Sequence, residues 1–383
     1  MFTPTRSAAL NRLEAFLPNA GRTYAIRRNH VDITGTSALS PYIRHRIITE
    51  AEVLRAVLDR HDAAEAGKFV QEVFWRTYWK GWLELRPTVW NDYRTELQAA
   101  LKRFETESGL RQQWEAACKG GTGIDCFDHW ARELARTGYL HNHARMWFAS
   151  IWIFTLRLPW VLGADFFLRH LLDGDPASNT LSWRWVGGLQ TQGKTYLATA
   201  ENIARYTDGR FQPKGLATDA APLDGPAPPP PGPAPQSDRI DLGRRTGLLL
   251  TEEDLSLDWL LDQVTPICTA LVQTTDHRSP LETASRVTDF VAGAFDDCTA
   301  RFGDRLGPVA RLTADAVARW AADNALDQIV TSYIPTGPTR DALSGIDIKQ
   351  LVRPYDAAAW PLATHGFFRF RDNIPPLVAA VTV

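Results

Sequence analysis

Residues 71–79 read Gln-Glu-Val-Phe-Trp-Arg-Thr-Tyr-Trp. In a helix, Glu72, Trp75, Arg76 and Trp79 fall at i, i+3, i+4 and i+7 and so share one face. A core face would not hold an acid and a base, and a solvent face would not spend two tryptophans. The face reads as a pocket wall with polar handles, although a Glu/Arg pair fencing a tryptophan-rich core edge gives the same pattern. Apolar residues at three- and four-residue intervals extend this helix over Ala64–Glu84. They predict further helices at Ala51–Arg60, Asp92–Glu107, Cys126–Thr137, Leu140–Leu158 and Ala164–Leu172. The first part of the chain is therefore expected to be nearly all α.

Three other stretches also carry polar handles. In Gly138-Tyr139-Leu140-His141-Asn142-His143-Ala144-Arg145-Met146, a helical stripe joins Asn142, Arg145, Met146 and Ala149. Met146 is the only methionine after Met1 and by itself reads as core filler. His141 and His143 lie two apart and point to different sides of a helix, so no shared metal site is expected. Asp173-Gly174-Asp175-Pro176-Ala177-Ser178-Asn179 is a turn rich in acids and amides that leads into Trp183-Arg184-Trp185. Turn chemistry explains Asp-Gly and Asp-Pro equally well. Thr34 to Pro41 packs hydroxyls and backbone amides ahead of Tyr42–Arg46, an arrangement suited to a phosphate or to a plain helix cap.

Proline clusters between Ala220 and Ser237 mark a spacer without a core of its own. The expected division is 1–214, a linker at 215–239, and 240–383. After the break, short apolar runs at Thr246–Thr251, Ala270–Thr274 and Gln328–Ile334 alternate with helical stretches at Ala284–Phe302 and Ala314–Asn324. That alternation reads as βαβ units around a small parallel sheet. Residues 1–214 carry 28 Lys and Arg against 22 Asp and Glu, a balance of +6, and the remainder carries −8. A polyanion would accordingly meet the first part. Cys118, Cys126, Cys268 and Cys298 form no CxxC pair and read as reduced, mostly buried residues, without a metal. No apolar run approaches the roughly 18 residues of a membrane span, and a cytoplasmic protein is expected.

In this order the segments resemble the FAD-binding domain of the photolyase/cryptochrome family, from about Tyr24 to Trp185. The family's opening motif is matched by Tyr24, Arg28-Asn29 and Thr36-Ser37-Ala38-Leu39-Ser40. Its Glu-x-x-Trp-Arg helix is matched by Glu72, Trp75 and Arg76, its Gly-aromatic-x-His-Asn-x-x-Arg-Met stretch by Gly138 to Met146, and its Asp-Gly-Asp-x-x-x-Asn turn by Asp173, Gly174, Asp175 and Asn179, followed by Trp183. The implied fold is mainly α: an all-helical photolyase-type FAD-binding domain, a Pro-rich linker and a small α/β domain.

The resemblance implies FAD as cofactor, with Tyr24, Thr36 to Ser40 and Arg76 around it and the residues from Thr36 to Ser40, with Arg76, on its phosphates. Asp173 would pair with Arg145 beside the isoalloxazine, and Gly174 and Asn142 would also border the cofactor. Asp175 would face the ring's hydrogen-bonding edge. Asn179 would lie opposite the reactive nitrogen, where an amide cannot act as an acid. Glu72, Trp75, Asn142 and Met146 match the base pocket of enzymes for cyclobutane pyrimidine dimers, with Trp185 as a second stacking surface. Histidines stand at the last two positions of that quartet in the related six-four enzymes. Trp183 and Trp160 match the inner two members of an electron-transfer chain. The third is not at its expected place near Phe104, for which Trp114, Trp130, Trp147 or Trp152 are substitutes. Arg28 and His143 would touch DNA phosphates.

The family's α/β antenna domain has no counterpart ahead of these motifs, and residues 186–211 differ from the segment that closes the family's DNA face. The resemblance implies light-driven repair of ultraviolet-damaged DNA. A cryptochrome-like light sensor, signalling to a protein partner through the C-terminal domain, and a flavoprotein acting on a small molecule are the alternatives.

Overall fold

The computed structural model describes residues 2–31 and 35–382; Thr34, the first residue of the hydroxyl-rich stretch, lies outside them. The helices before the Pro-rich stretch are α1 (Arg6–Phe16), α2 (Arg22–Arg27), α3 (Ser40–Arg44), α4 (Glu50–Leu58), α5 (Ala63–Glu84), α6 (Thr88–Lys102), α7 (Ser108–Lys119), α8 (Asp125–Thr137), α9 (Asn142–Ser150), α10 (Trp160–His170), α11 (Pro176–Val186) and α12 (Ala200–Tyr206). Thr49 and Glu52 form a capping box that starts α4, and left-handed Gly120 and Gly138 end α7 and α8. Leu140–Leu158 is not one α-helix. His141 caps α9, its ring accepting from the His143 N–H, and the last turn widens into a π-helix at Ile151–Thr155.

Beyond the Pro-rich stretch, β1 (Thr246–Thr251), β2 (Cys268–Val272), β3 (Val309–Leu312), β4 (Gln328–Ser332) and β5 (Lys349–Leu351) form one parallel sheet in the order β3-β2-β1-β4-β5. The helices of this part are α13 (Asp258–Leu261), α14 (Ser285–Phe302), α15 (Val317–Asp323), α16 (Pro338–Ala342), α17 (Pro354–Ala359), α18 (Phe367–Arg371) and α19 (Ile374–Thr382). The expected fold class, mainly helical with a small α/β part, is observed. Strands β3 and β5 were not expected. Alternation along β1 sends Leu249 into a small core with Val272, Val317 and Ile329, while Leu248 and Leu250 join the large core that also holds Phe74 and Trp147.

The two parts are thus joined through one hydrophobic core and through charge. The strand order reverses between β1 and β4, and the carboxyl ends of these strands, where doubly wound sheets offer their crevice, point at the helical part. Just past β1, Glu253 takes a bidentate pair from Arg44 at 2.7 and 2.9 Å, and Asp254 takes one from Arg353 at 3.0 and 2.8 Å. Past β4, Thr336 N–H donates to Glu84 at the end of α5, which also accepts from Arg340 at 2.8 Å. The C-terminal helices fold back on α5. Tyr355 meets Thr77 at 2.8 Å, and Gly81 lies so close to Trp360 that a Cβ would sit 2.9 Å from its Cα. The Pro-rich stretch is itself tied down, Gly232 N–H donating to Leu85 O and Arg86 to Pro229 O.

Burial alone would raise the Glu253 carboxyl, but the adjacent Arg44 and Lys80 cations pull it down to about 2. Its folded pKa is then below the ordinary carboxylate value. The stability it contributes is complete above about pH 5 and is lost as the pH falls toward 2, on the order of 3 kcal/mol at about 1.4 kcal/mol per unit. Arg44→Met removes the bidentate partner of Glu253, leaving only the longer Lys80 contact, and is expected to cost about 3 kcal/mol at neutral pH. Urea unfolding of the two proteins from pH 7 to pH 3 checks both statements. The variant should lose part of the acid dependence, and equal stability at pH 7 would refute the role given to the pair.

Candidate functional site

α5 supplies one wall of a cavity of about 620 Å³, within the roughly 300–1,000 Å³ of ligand pockets. Its cavity stripe is Glu72, Trp75, Arg76 and Trp79. α9 brings Asn142, His143, Arg145 and Met146. The turn before α11 brings Asp173 and Asp175, and α11 itself brings Asn179, Trp183 and Trp185; Tyr24, Arg28 and Thr36 to Ser40 complete the lining. Four segments separated by up to about 160 residues therefore converge on one space.

Arg145 donates to Asp173 Oδ2 at 2.8 Å and lies 5.6 Å from the Tyr139 ring centre. Among the described residues, the second Asp173 oxygen is buried without a hydrogen-bond partner, a costly state unless a ligand supplies a donor. Asn179 donates one amide N–H to Ala164 O at 2.8 Å, which orients the side chain and leaves its carbonyl oxygen and second N–H free to present. Ala38 adopts a left-handed φ of 48° on the cavity wall, an uncommon conformation for a residue with a side chain. The orphaned carboxylate oxygen, the oriented amide and a large, mainly apolar lining that includes several aromatic rings fit a cofactor with an apolar ring and polar edges.

Several residues sit differently from the expectation. Asp175 does not present a free carboxylate: Oδ1 caps α11 through the Ser178 N–H, and Oδ2 is shared by Arg76 at 3.2 Å and Lys80 at 3.3 Å. Arg76 is likewise committed, to Asp175 and to Glu50 at 3.3 Å, so it braces the wall before it meets any phosphate. Gly174 lies outside the cavity; a Cβ there would press on Arg278 at 2.8 Å, and its carbonyl accepts from Arg44. Trp160 also lies outside. Its indole donates to Glu96, and its ring neighbour is Tyr93 at 5.8 Å. The tryptophan in ring contact with Trp183 is Trp152, at 6.1 Å.

The two residues expected on DNA phosphates both face inward. Arg28 pairs with Glu72 at 3.1 Å, each about one-third exposed, to the cavity they line. Desolvation raises the Glu72 carboxyl, and Arg28 partly counters it. His143 stacks on Trp147 at 4.3 Å and holds Asn29 O at 3.0 Å. Burial lowers its pKa, which keeps it neutral and unsuited to a phosphate. Tyr196, from the segment that departs from the family, stacks on Trp185 at 5.6 Å. Sequence reading missed Glu50, Lys80 and Arg44, the partners that hold Arg76 and Asp175 in place, and Phe367, which stacks on Trp75 at 3.6 Å and 11°. No local motif marks any of the four.

Residues 69–215 match the FAD-binding domain of DNA photolyase. The chain is 36% identical over 170 residues to the deoxyribodipyrimidine photo-lyase of Streptomyces griseus, covering 42% of this chain and 34% of that one. It is 34% identical over 218 residues to a deoxyribodipyrimidine photo-lyase of Thermus thermophilus, covering 55% and 49%. Among solved structures it is similar to a class III photolyase from Agrobacterium tumefaciens, at 27% identity and a TM-score of 0.46 over 54% of this chain and 43% of that one. The chain spans half or less of the length of these relatives. Residues 69–215 are thus similar to the FAD-binding domain of DNA photolyase, and FAD is the cofactor that this similarity assigns to the helical part. Among the described residues, no helix is long and apolar enough to cross a membrane.

Two substitutions probe the cavity from opposite sides. Asp173→Ala leaves Arg145 without its carboxylate and is expected to lower the FAD retained per chain several-fold. Gly163→Ala would place a methyl group 2.3 Å from the Trp183 ring; it is expected to cost about 1–3 kcal/mol of stability and to push that ring toward the flavin space. Absorbance of released flavin against protein concentration measures retention, and full flavin in both variants would contradict the placement of the cofactor.

Proposed function

We propose that this chain is an FAD-dependent lyase that splits cyclobutane pyrimidine dimers in ultraviolet-damaged DNA under blue light. The observation that carries the proposal is the meeting of Glu72, Trp75, Asn142 and Met146 in the same cavity as Asp173, Arg145 and Asn179. The first four suit a flipped base pair and the last three the flavin. In the proposal, residues 1–214 carry cofactor and lesion, 215–239 act as a spacer, and 240–383 brace the cavity.

Phe367 covers one face of Trp75 and locks the indole in place, so the opposite face serves as a stacking platform for an unstacked base. Arg28 holds Glu72 Oε2, which leaves Oε1 for the polar edge of the dimer. Asn142, at the first turn of α9, adds an amide to that edge. Met146 and Trp185, the latter held by Tyr196, supply apolar surface that excludes water. Asp173 and Arg145 together form a neutral, oriented pair for the cofactor's polar edge, and Asn179 presents a carbonyl oxygen without an acidic proton. With Asp173, Arg145 and Asn179 holding reduced FAD, the cofactor would supply the light-driven electron-transfer chemistry that ring opening requires.

The test is the loss of thymine dimers from an irradiated oligonucleotide in blue light against darkness, with reduced, flavin-loaded protein. Light-dependent loss is expected, and Glu72→Ala and Asn142→Ala should each lower its yield about tenfold, as for a lost hydrogen bond to a charged or buried partner. Flavin-loaded protein that leaves dimers intact in light would overturn the proposal. A light-dependent change in hydrodynamic size would then favour a sensor that signals through residues 240–383.

A further inference from the structure

We propose that α18, near the C-terminal end of the chain, forms part of the surface that grips the DNA strand beside the lesion, with Phe368 stacking on a neighbouring base and Arg369 and Arg371 on phosphates. This rests on the reading of damaged DNA as the substrate.

The position of α18 follows from α5. On that helix Glu72, Trp75 and Trp79 form the cavity stripe, and Phe74 and Tyr78 flank it on the side away from Arg76. Phe367 and Phe370, three apart on α18, pack on this flank. Phe367 stacks on Trp75 and lies 5.5 Å from Tyr78, and Phe370 lies 5.5 Å from Tyr78 and 6.3 Å from Phe74. α18 is therefore the immediate neighbour of the tryptophan that would carry the lesion. Its approach is fixed by carbonyl contacts just upstream. Arg86 donates to Thr364 O at 2.7 Å, and Tyr78 to His365 O at 2.9 Å.

With Phe367 and Phe370 turned inward, Phe368 points the other way and is 72% exposed. Arg369 and Arg371 are exposed beside it, in a half of the chain that carries −8 overall. Arg371 lies 5.4 Å from the Phe368 ring centre. Its carboxylate neighbour, Asp372, is 3.9 Å away and solvent-exposed, a pairing too weak to withhold the guanidinium from a phosphate. An exposed aromatic ring between two exposed cations matches the chemistry of a single strand, a run of π-faces on a polyanionic backbone. The same surface offers little to an acidic peptide, which has no flat ring for Phe368. Arg28 and His143 face inward, so α18 supplies outward positive charge where the motif residues do not.

The test is dark-state binding of the flavin-loaded full chain to a labelled single strand carrying one thymine dimer, followed by fluorescence anisotropy across a salt series. Phe368→Ala is expected to weaken binding about tenfold, as for the loss of one base stack. Arg369→Ala with Arg371→Ala is expected to reduce the slope of log affinity against log salt by about 1.4, two contacts at about 0.7 each. Both variants should keep their full complement of FAD, which shows that the fold is intact. If the parent protein binds and both variants match its affinity and slope, α18 is not part of the DNA surface, and the DNA reading stands. If the parent protein binds no damaged strand, the DNA reading itself falls and this inference with it.

Discussion

Ten charged side chains hold this molecule together where its two parts meet. Arg44, Arg46, Arg76, Lys80 and Arg353 alternate with Glu50, Asp175, Glu253, Asp254 and Asp356, five of each sign, linked by contacts of 2.7 to 3.9 Å and largely removed from water. A buried charge without a partner costs several kcal/mol. Neither part could bury its share alone: the helical part would leave Arg44 and Arg46 short of acids, and the α/β part would leave Glu253 short of a cation. The network makes docking of the sheet's carboxyl edge a condition of folding.

That constraint reaches the cavity directly. Arg76 and Asp175 belong both to the network and to the cavity wall, and Asp175 also caps α11, the helix that carries Asn179, Trp183 and Trp185. The position of this polar wall of the cavity is therefore set through Lys80 and Arg44 by a glutamate past the first strand of the sheet. The opposite wall has a similar distant support, since Trp75 takes its orientation from Phe367, almost 300 residues further along the chain. The C-terminal part thus supports a site composed of N-terminal motifs.

Much of the site could be read from the sequence because its signals are local. Glu72, Trp75, Arg76 and Trp79 declare a shared face through helical spacing alone, and Asp173 to Asn179 announce a turn into a helix through Asp-Pro and an acidic cap. The illegible parts are non-local. Nothing near Arg76 shows that Glu50 claims it, and nothing near Arg28 shows that it turns inward to Glu72. His143 has the composition of a phosphate contact, but its neutral, stacked state depends on Trp147 and on a carbonyl more than a hundred residues away. Trp160 follows its motif yet contacts Tyr93, and Trp152 takes the place beside Trp183. The missed strands are short: β5 has three residues, and β3, at the sheet edge, alternates exposed and half-buried positions with too weak an apolar signal.

The most direct measurement is a crystal structure of the flavin-loaded chain with a dimer-containing single strand bound. The account predicts the flavin between Asp173–Arg145 and Asn179, and the dimer inside the same cavity, against the face of Trp75 opposite Phe367 and with its polar edge toward Glu72 and Asn142. A dimer lodged outside the cavity, or a flavin that fills the space beside Trp75 and Glu72, would contradict it.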